Sequence, residues 1–158
     1  MSVIHVTNFI SAPADLVFDL SRHILLQKKA MEKISVRQVR GVSSGLRSLN
    51  DTIMWSIPVM KKASLFSLKL TACIPGDQLT EEMTSGWLVS FKHDRHIKAI
   101  KNGTLVIDEV RYTLPKKFWS QVVDTFFLKG KISEMLEARN IVLKEYAESN
   151  KWRALLTK

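Results

Sequence analysis

Apolar residues recur every three or four positions along the last third of the chain and every second position through its middle, and this change of period divides the sequence into elements. From Pro115 to Ser149 the spacing is helical. Phe118, Val122 and Phe126 step by four, Trp119, Val123 and Phe127 repeat that step, and Ile132, Met135, Leu136, Val142, Leu143 and Tyr146 continue a wide stripe. The spacing predicts one long C-terminal helix with Phe126 and Leu136 turned into the core. Arg139 falls inside the stripe, where a cation either snorkels to solvent or meets a partner inside. Gly130 removes a side chain in mid-helix.

Upstream, Val3 to Ile10 reads as a strand. Ser11-Ala12-Pro13-Ala14-Asp15 reads as a helix start, with Ser11 or Ala12 as cap, proline in the first turn and Asp15 complementing the dipole. Leu16, Val17, Leu20 and Ile24 give that helix a buried face, and helical character runs through a bend to about Met31. Short strands follow at Ser35 to Val39 and at Asp51 to Ile57, the second ended by Pro58. Leu65 to Ile74 alternates clearly, with Phe66, Leu68, Leu70, Ala72 and Ile74 on one face. Pro75-Gly76-Asp77 is a turn. Gln78 to Thr84 is a more polar strand, and Trp87 to Lys98 and Thr104 to Leu114 flank Asn102-Gly103, a strong hairpin signal.

The order is strand, helix, about six antiparallel strands, long helix. Strand–helix–strand alternation is missing, so the class is α+β with an antiparallel sheet. A curved sheet wrapped around one long helix buries the stripe and leaves room for a cavity between the two.

The chain has 158 residues, enough for a substantial core in one domain, expected to span 1–158 with a tail from Asn150. No apolar run approaches the roughly 20 residues of a membrane span. Met1 to Phe9 holds no signal-peptide core, so a cytoplasmic protein is expected. The single cysteine, Cys73, excludes an intramolecular disulfide and is expected to be a buried thiol. The net charge of +9 admits nucleic acid, an anionic surface or an acidic partner. The lysines, however, fall in scattered pairs (Lys28-Lys29, Lys61-Lys62, Lys116-Lys117), which favours a solvated basic surface over a nucleic-acid footprint. Trp152, Leu155 and Leu156 in the tail are expected to pack on the body or on a second subunit in a homodimer.

The candidate chemistry sits in the hairpin. Trp87, Val89, Phe91, His93, Arg95 and Ile97 share one strand face, apolar at its ends and polar in the middle. With Asn102-Gly103 as a two-residue turn, His93 lies opposite Tyr112, Arg95 opposite Val110 and Ile97 opposite Asp108. The wet face then pairs Asp94 with Arg111 and His96 with Glu109. A three-residue turn would pair Arg95 with Glu109 and His93 with Arg111; the first register is preferred because it places matched charges on the wet face. His93, Arg95, Asp108 and Tyr112 thus gather among aromatics, either as a ligand site or as a satisfied buried network. His93 and His96 point to opposite faces and no cysteine–histidine cluster exists, so no metal site is expected. Gly41-Val42-Ser43-Ser44-Gly45 matches G-x-S-x-G, but glycine and serine run on into Arg47, Ser48 and Asn50, and a plain loop is expected in place of a nucleophile elbow.

Taken together, "FISAPADLVFDLSRHI", "GVSSGLRSLNDTIMW", "MTSGWLVSFKHDRHI", "NGTLVIDEVRYTLP" and "FFLKGKISEMLEARNIVLKEYAES" resemble, in their order and spacing, the START/SRPBCC (birch-pollen-allergen-like) superfamily. They are similar to one bacterial branch of it, related to polyketide cyclase/dehydrase and lipid-transport members. The resemblance covers Ile4 to Ser149. Arg95 stands where that branch often has a second histidine, and Lys116-Lys117 where it tends to have a small residue and glycine. The resemblance implies a helix-grip fold, a seven-stranded antiparallel sheet gripping the C-terminal helix over a hydrophobic cavity.

The expected function is binding of a hydrophobic or amphipathic small molecule, with no cofactor and no catalytic residue assigned. Trp55, Trp87, Phe91, Tyr112 and stripe residues such as Phe126 and Met135 would supply apolar contact. His93 and Arg95 would fix a polar or anionic group, with Asp108 and Arg139 nearby. Asp108 is the inward carboxylate nearest Arg95 in the preferred register, and Arg95 is expected to be free of it. Two alternatives stand beside this: a cyclase/dehydratase-like enzyme using His93 and Asp108 as acid–base groups, and a basic interaction module.

Overall fold

The computed structural model describes residues 1–59, 61–118 and 122–156, the side chains of Phe118 and of residues 122–125 excepted. Seven strands, β1 (Ser2–Ile10), β2 (Arg37–Gly41), β3 (Thr52–Val59), β4 (Lys62–Ile74), β5 (Gln78–Ser85), β6 (Ser90–Ile100) and β7 (Gly103–Thr113), form one antiparallel sheet in the order β1-β7-β6-β5-β4-β3-β2. Helices α1 (Ala14–Ser21) and α2 (Ile24–Glu32) follow β1, the long α3 (Val122–Ala147) closes the body, and a short α4 (Arg153–Leu156) lies in the tail. This is the helix-grip arrangement: a curved sheet wrapped around the C-terminal helix, with the core between them.

Alternation supplies the sheet's inner face. Ile53, Trp55 and Ile57 of β3, Phe66, Leu68 and Leu70 of β4, and Val106, Val110 and Tyr112 of β7 are all buried. Across them lie Leu128, Ile132, Leu136, Val142 and Leu143 of α3, and Val17, Leu20, Ile24 and Leu26 of α1 and α2. Pro13 stands at the cap of α1 without a side-chain cap bond, one position before the first turn where it was expected. His23 separates the two helices, and its Nδ1 accepts from the Leu25 N–H at 3.3 Å. The tail packs on the body, where Trp152, Leu155 and Leu156 are partly buried against the core.

Several expectations need correction. The β6–β7 turn occupies Lys101 and Asn102, with Ile100 paired to Gly103, so the register is two residues from the expected one. Neither turn residue takes the left-handed backbone that a primed two-residue turn requires. The glycine is used elsewhere: β7 starts against the end of β1, and a Cβ on Gly103 would lie 2.3 Å from the Ile10 carbonyl oxygen. A shift of two preserves each side chain's face, so the inward set survives while the pairs change. Asp94 now faces Glu109, and Lys92 faces Arg111. The expected charge ladder is absent; Asp94 accepts from Thr80 Oγ1 at 2.7 Å and Glu109 pairs with Arg111.

Phe126 is 70% exposed. At about 100° per residue it lies about 160° from Leu128 and about 180° from Met135, so a stripe drawn through all three spans both faces of the helix. Trp119 lies outside the described residues, as do the side chains of Phe118, Val122 and Val123. A bulge between Leu70 and Ala72 reverses the alternation of β4, leaving Ile74 exposed and Cys73 half-buried against the core. Val89 precedes β6 and is exposed, and Leu88 turns inward in its place. β3 continues through Pro58 to Val59. The loop after Gly41 leads to β3 without a helix, as a plain loop should.

Candidate functional site

Two neighbouring regions lie between the sheet and α3, one apolar and open, the other ionic and filled. The apolar one is a cavity of about 420 Å³. Ile57 and Val59 of β3, Phe66 of β4, Phe91 of β6 and Leu114 form its sheet side, Trp87 and Leu88 come from the loop before β6, and Leu128, Ile132 and Met135 come from α3. Phe66 and Phe91 meet edge to face, centroids 5.1 Å apart. Lys62, Ser64, Phe127 and Lys131 complete the lining, and the exposed Lys62 and Phe127 mark its mouth. Its volume falls in the range of small-molecule sites.

The ionic region is built from strand positions that point inward. Arg95 and Asp108 face each other across β6 and β7. Arg95 donates from Nε to Asp108 Oδ1 at 2.7 Å and from Nη2 to Oδ2 at 3.0 Å, the bidentate geometry that suits a guanidinium. Asn140 of α3 completes a triangle, accepting from Arg95 Nη2 at 2.8 Å and donating to Asp108 Oδ2 at 3.0 Å. His93 places Nε2 2.7 Å from Asp108 Oδ1 and Nδ1 3.4 Å from Glu81 Oε2. Glu81 of β5 also accepts from Arg139 Nη1 at 2.9 Å and from Arg47. Gln27 of α2 ties in through Arg47 at 3.3 Å.

Burial works against the charge on Glu81, but Arg139 and Arg47 beside it, with His93, outweigh that cost and hold its carboxyl well below the ordinary range. Asp108 is treated alike: burial opposes its charge, and Arg95 and His93 depress it strongly. Two voids flanking this cluster are about 10 Å³ each, room for about one water.

The ten candidate residues therefore divide. Trp87, Phe91 and Met135 line the cavity. His93, Arg95, Asp108 and Arg139 belong to the ionic cluster. Trp55 and Tyr112 are buried in the core, outside the cavity wall, and Phe126 points to solvent. Arg95 is paired with Asp108, so the arrangement in which it stays free for a ligand anion is not the one found; the two-residue register change puts the pair directly opposite. Arg139 finds its partner inside. Sequence reading missed Glu81, Arg47 and Asn140. Glu81 carries a signal, a charge on the same strand face as Leu79 and Met83. So does Asn140, which continues the four-residue step from Ile132 and Leu136. Arg47 carries none, since it comes from an irregular loop and is nonetheless fully buried.

No group of acidic, histidine or cysteine side chains suited to a metal ion occurs among the described residues. No helix among them is long and apolar enough to cross a membrane.

No family model matches the sequence, and no curated protein does. Solved structures do share the fold. Ginseng major latex-like protein 151 from Panax ginseng superposes with a TM-score of 0.67 at 10% identity, covering 94% of this chain and 98% of that one. The di-domain ARO/CYC StfQ from the steffimycin biosynthetic pathway gives 0.70 at 16%, covering 92% of this chain and 50% of that one, so this chain spans about half of it. Norcoclaurine synthase from Thalictrum flavum, solved with dopamine and hydroxybenzaldehyde, gives 0.66 at 13%, covering 94% and 89%. These superpositions show the fold, a seven-stranded antiparallel sheet around a long C-terminal helix, which is the helix-grip fold that the motif resemblance implies.

Proposed function

We propose that this protein binds a hydrophobic or amphipathic small molecule in the cavity between the sheet and α3, without catalysing a reaction on it. One observation carries the reading: a cavity of about 420 Å³ walled by aromatic and aliphatic side chains, in a core that is otherwise packed. A void of that size lined by apolar groups forfeits packing contacts, a cost that a fitted ligand recovers. The groups able to transfer protons argue in the same direction. His93 and Asp108 lie outside the cavity lining and are held by Glu81, Arg95 and Asn140, so they serve as structure under this reading.

Norcoclaurine synthase, solved with dopamine and hydroxybenzaldehyde, holds small aromatic molecules on the same fold, which is compatible with a small organic ligand here. Native mass spectrometry of the purified protein tests the proposal. A retained adduct, released on denaturation and identified as a hydrophobic small molecule, is the expected result. A bare mass, together with no uptake of any apolar compound in titrations, would remove it.

A further inference from the structure

The polar interruptions of the cavity wall are few and of one kind. Ser64, Lys62 and Lys131 line it, and among the described residues no aspartate or glutamate does. Lys62 opens β4 beside the mouth and is exposed, and its ammonium has no hydrogen bond or ion pair among the described residues. Lys131 reaches in from α3 with its side chain 17% exposed; its Nζ lies 3.4 Å from the Ile34 carbonyl oxygen and 3.3 Å from Glu134 on the outer side. An ammonium has three donors, so one remains for the cavity. In the neighbouring ionic cluster every buried cation has a carboxylate: Arg47 and Arg139 have Glu81, and Arg95 has Asp108. Lys62, by contrast, meets no carboxylate among the described residues, and Glu134, which pairs with Lys131, is not part of the cavity lining.

We infer that Lys62 and Lys131 form a headgroup site, and that the ligand is an anionic amphiphile whose carboxylate or phosphate sits at the rim while its apolar body fills the cavity. The inference rests on the binding reading above and adds charge selectivity to it. Lys62 comes from the sheet and Lys131 from the helix, so an anion held by both would bridge the two layers. A point-charge ammonium suits a single anionic oxygen and does not demand the planar match of a guanidinium. Ser64, on the same strand face as Lys62, offers a hydroxyl to the same group.

Calorimetric titration of decanoate, decyl phosphate and 1-decanol into the unaltered protein and a Lys62→Met/Lys131→Met variant tests this. Methionine keeps the length and removes the charge. The expected result is a loss of tenfold or more in affinity for at least one of the anions, with decanol affinity kept within twofold. A loss confined to one anion identifies the headgroup. Retained decanol binding also shows that the variant is folded. Equal losses for anion and alcohol, or no loss for either anion, overturn the headgroup site. Binding of decanol without either anion by the unaltered protein overturns it as well and leaves the cavity reading standing. Failure of the unaltered protein to bind any of the three overturns both.

Discussion

Arg95 and Asp108 stand directly opposite each other in the β6–β7 ladder and close a two-bond pair, 2.7 Å from Nε to Oδ1 and 3.0 Å from Nη2 to Oδ2, with both side chains at or below 2% exposure. Such a pair is costly to break and need not be a source of net stability. Asp108→Ala is expected to destabilise by about 3–5 kcal/mol, because it strands a buried guanidinium. The double variant Arg95→Met/Asp108→Leu is expected to recover most of that loss. Urea denaturation of the three proteins checks both parts; a double variant no more stable than Asp108→Ala would mean that Asn140 and His93 depend on the pair for their own placement.

The same cluster sets an acid limit. Glu81 and Asp108 hold folded carboxyls depressed below their unfolded values near 4, so below that pH the unfolded chain binds protons that the folded chain refuses. Their contribution is fully present above about pH 5 and is lost as pH falls toward the folded values. The urea midpoint is expected to drop between pH 5 and pH 3. In Glu81→Gln, which has one such carboxyl fewer, the drop is expected to be shallower. An unchanged slope in that variant would contradict the assignment.

Two residues of α3 separate the buried face from the exposed one. Leu136→Ala should cost about 2–5 kcal/mol, the range for large-to-small changes in a packed core. Phe126→Ala should stay within about 0.5 kcal/mol. Guanidinium titrations measure both, and similar losses at the two sites would contradict the observed rotation of the helix.

These particulars show how far the sequence reaches. Period-two runs and the final helical run were enough for the order of elements along the chain, the class and most of the inward faces, because burial enforces them locally. The β6–β7 register was not legible, since Gly103 answers to the end of β1, about ninety residues earlier, and its closeness to Asn102 imitates a primed turn. The inward grouping of His93, Arg95 and Asp108 was legible from parity alone. Their partners were not: Arg47 arrives from a loop and Glu81 from another strand, and neither position is tied to the hairpin by any local rule. Placing Phe126 inside was a failure of periodicity on a stretch apolar on more than one face.

Gly103→Ala tests the explanation offered for that turn. A Cβ there meets the Ile10 carbonyl oxygen at 2.3 Å and the Phe9 ring at 2.9 Å, and the first of these is backbone that cannot swing away. A loss of about 1–3 kcal/mol is expected in urea, with exchange protection reduced at the β1–β7 end of the sheet. Neutral behaviour would mean that the end of β1 is free to shift.

The central claim is that the 420 Å³ cavity is where a ligand sits, and filling it is the most direct test. Met135→Trp adds bulk at the cavity wall with a side chain that remains apolar, at a cost in stability of about 1–3 kcal/mol if overpacking is felt. Affinity for 1-decanol, measured by calorimetry on the folded variant, is expected to fall at least tenfold, while Phe126→Trp on the solvent side leaves it unchanged. Decanol affinity in Met135→Trp equal to that of the unaltered protein would contradict the account.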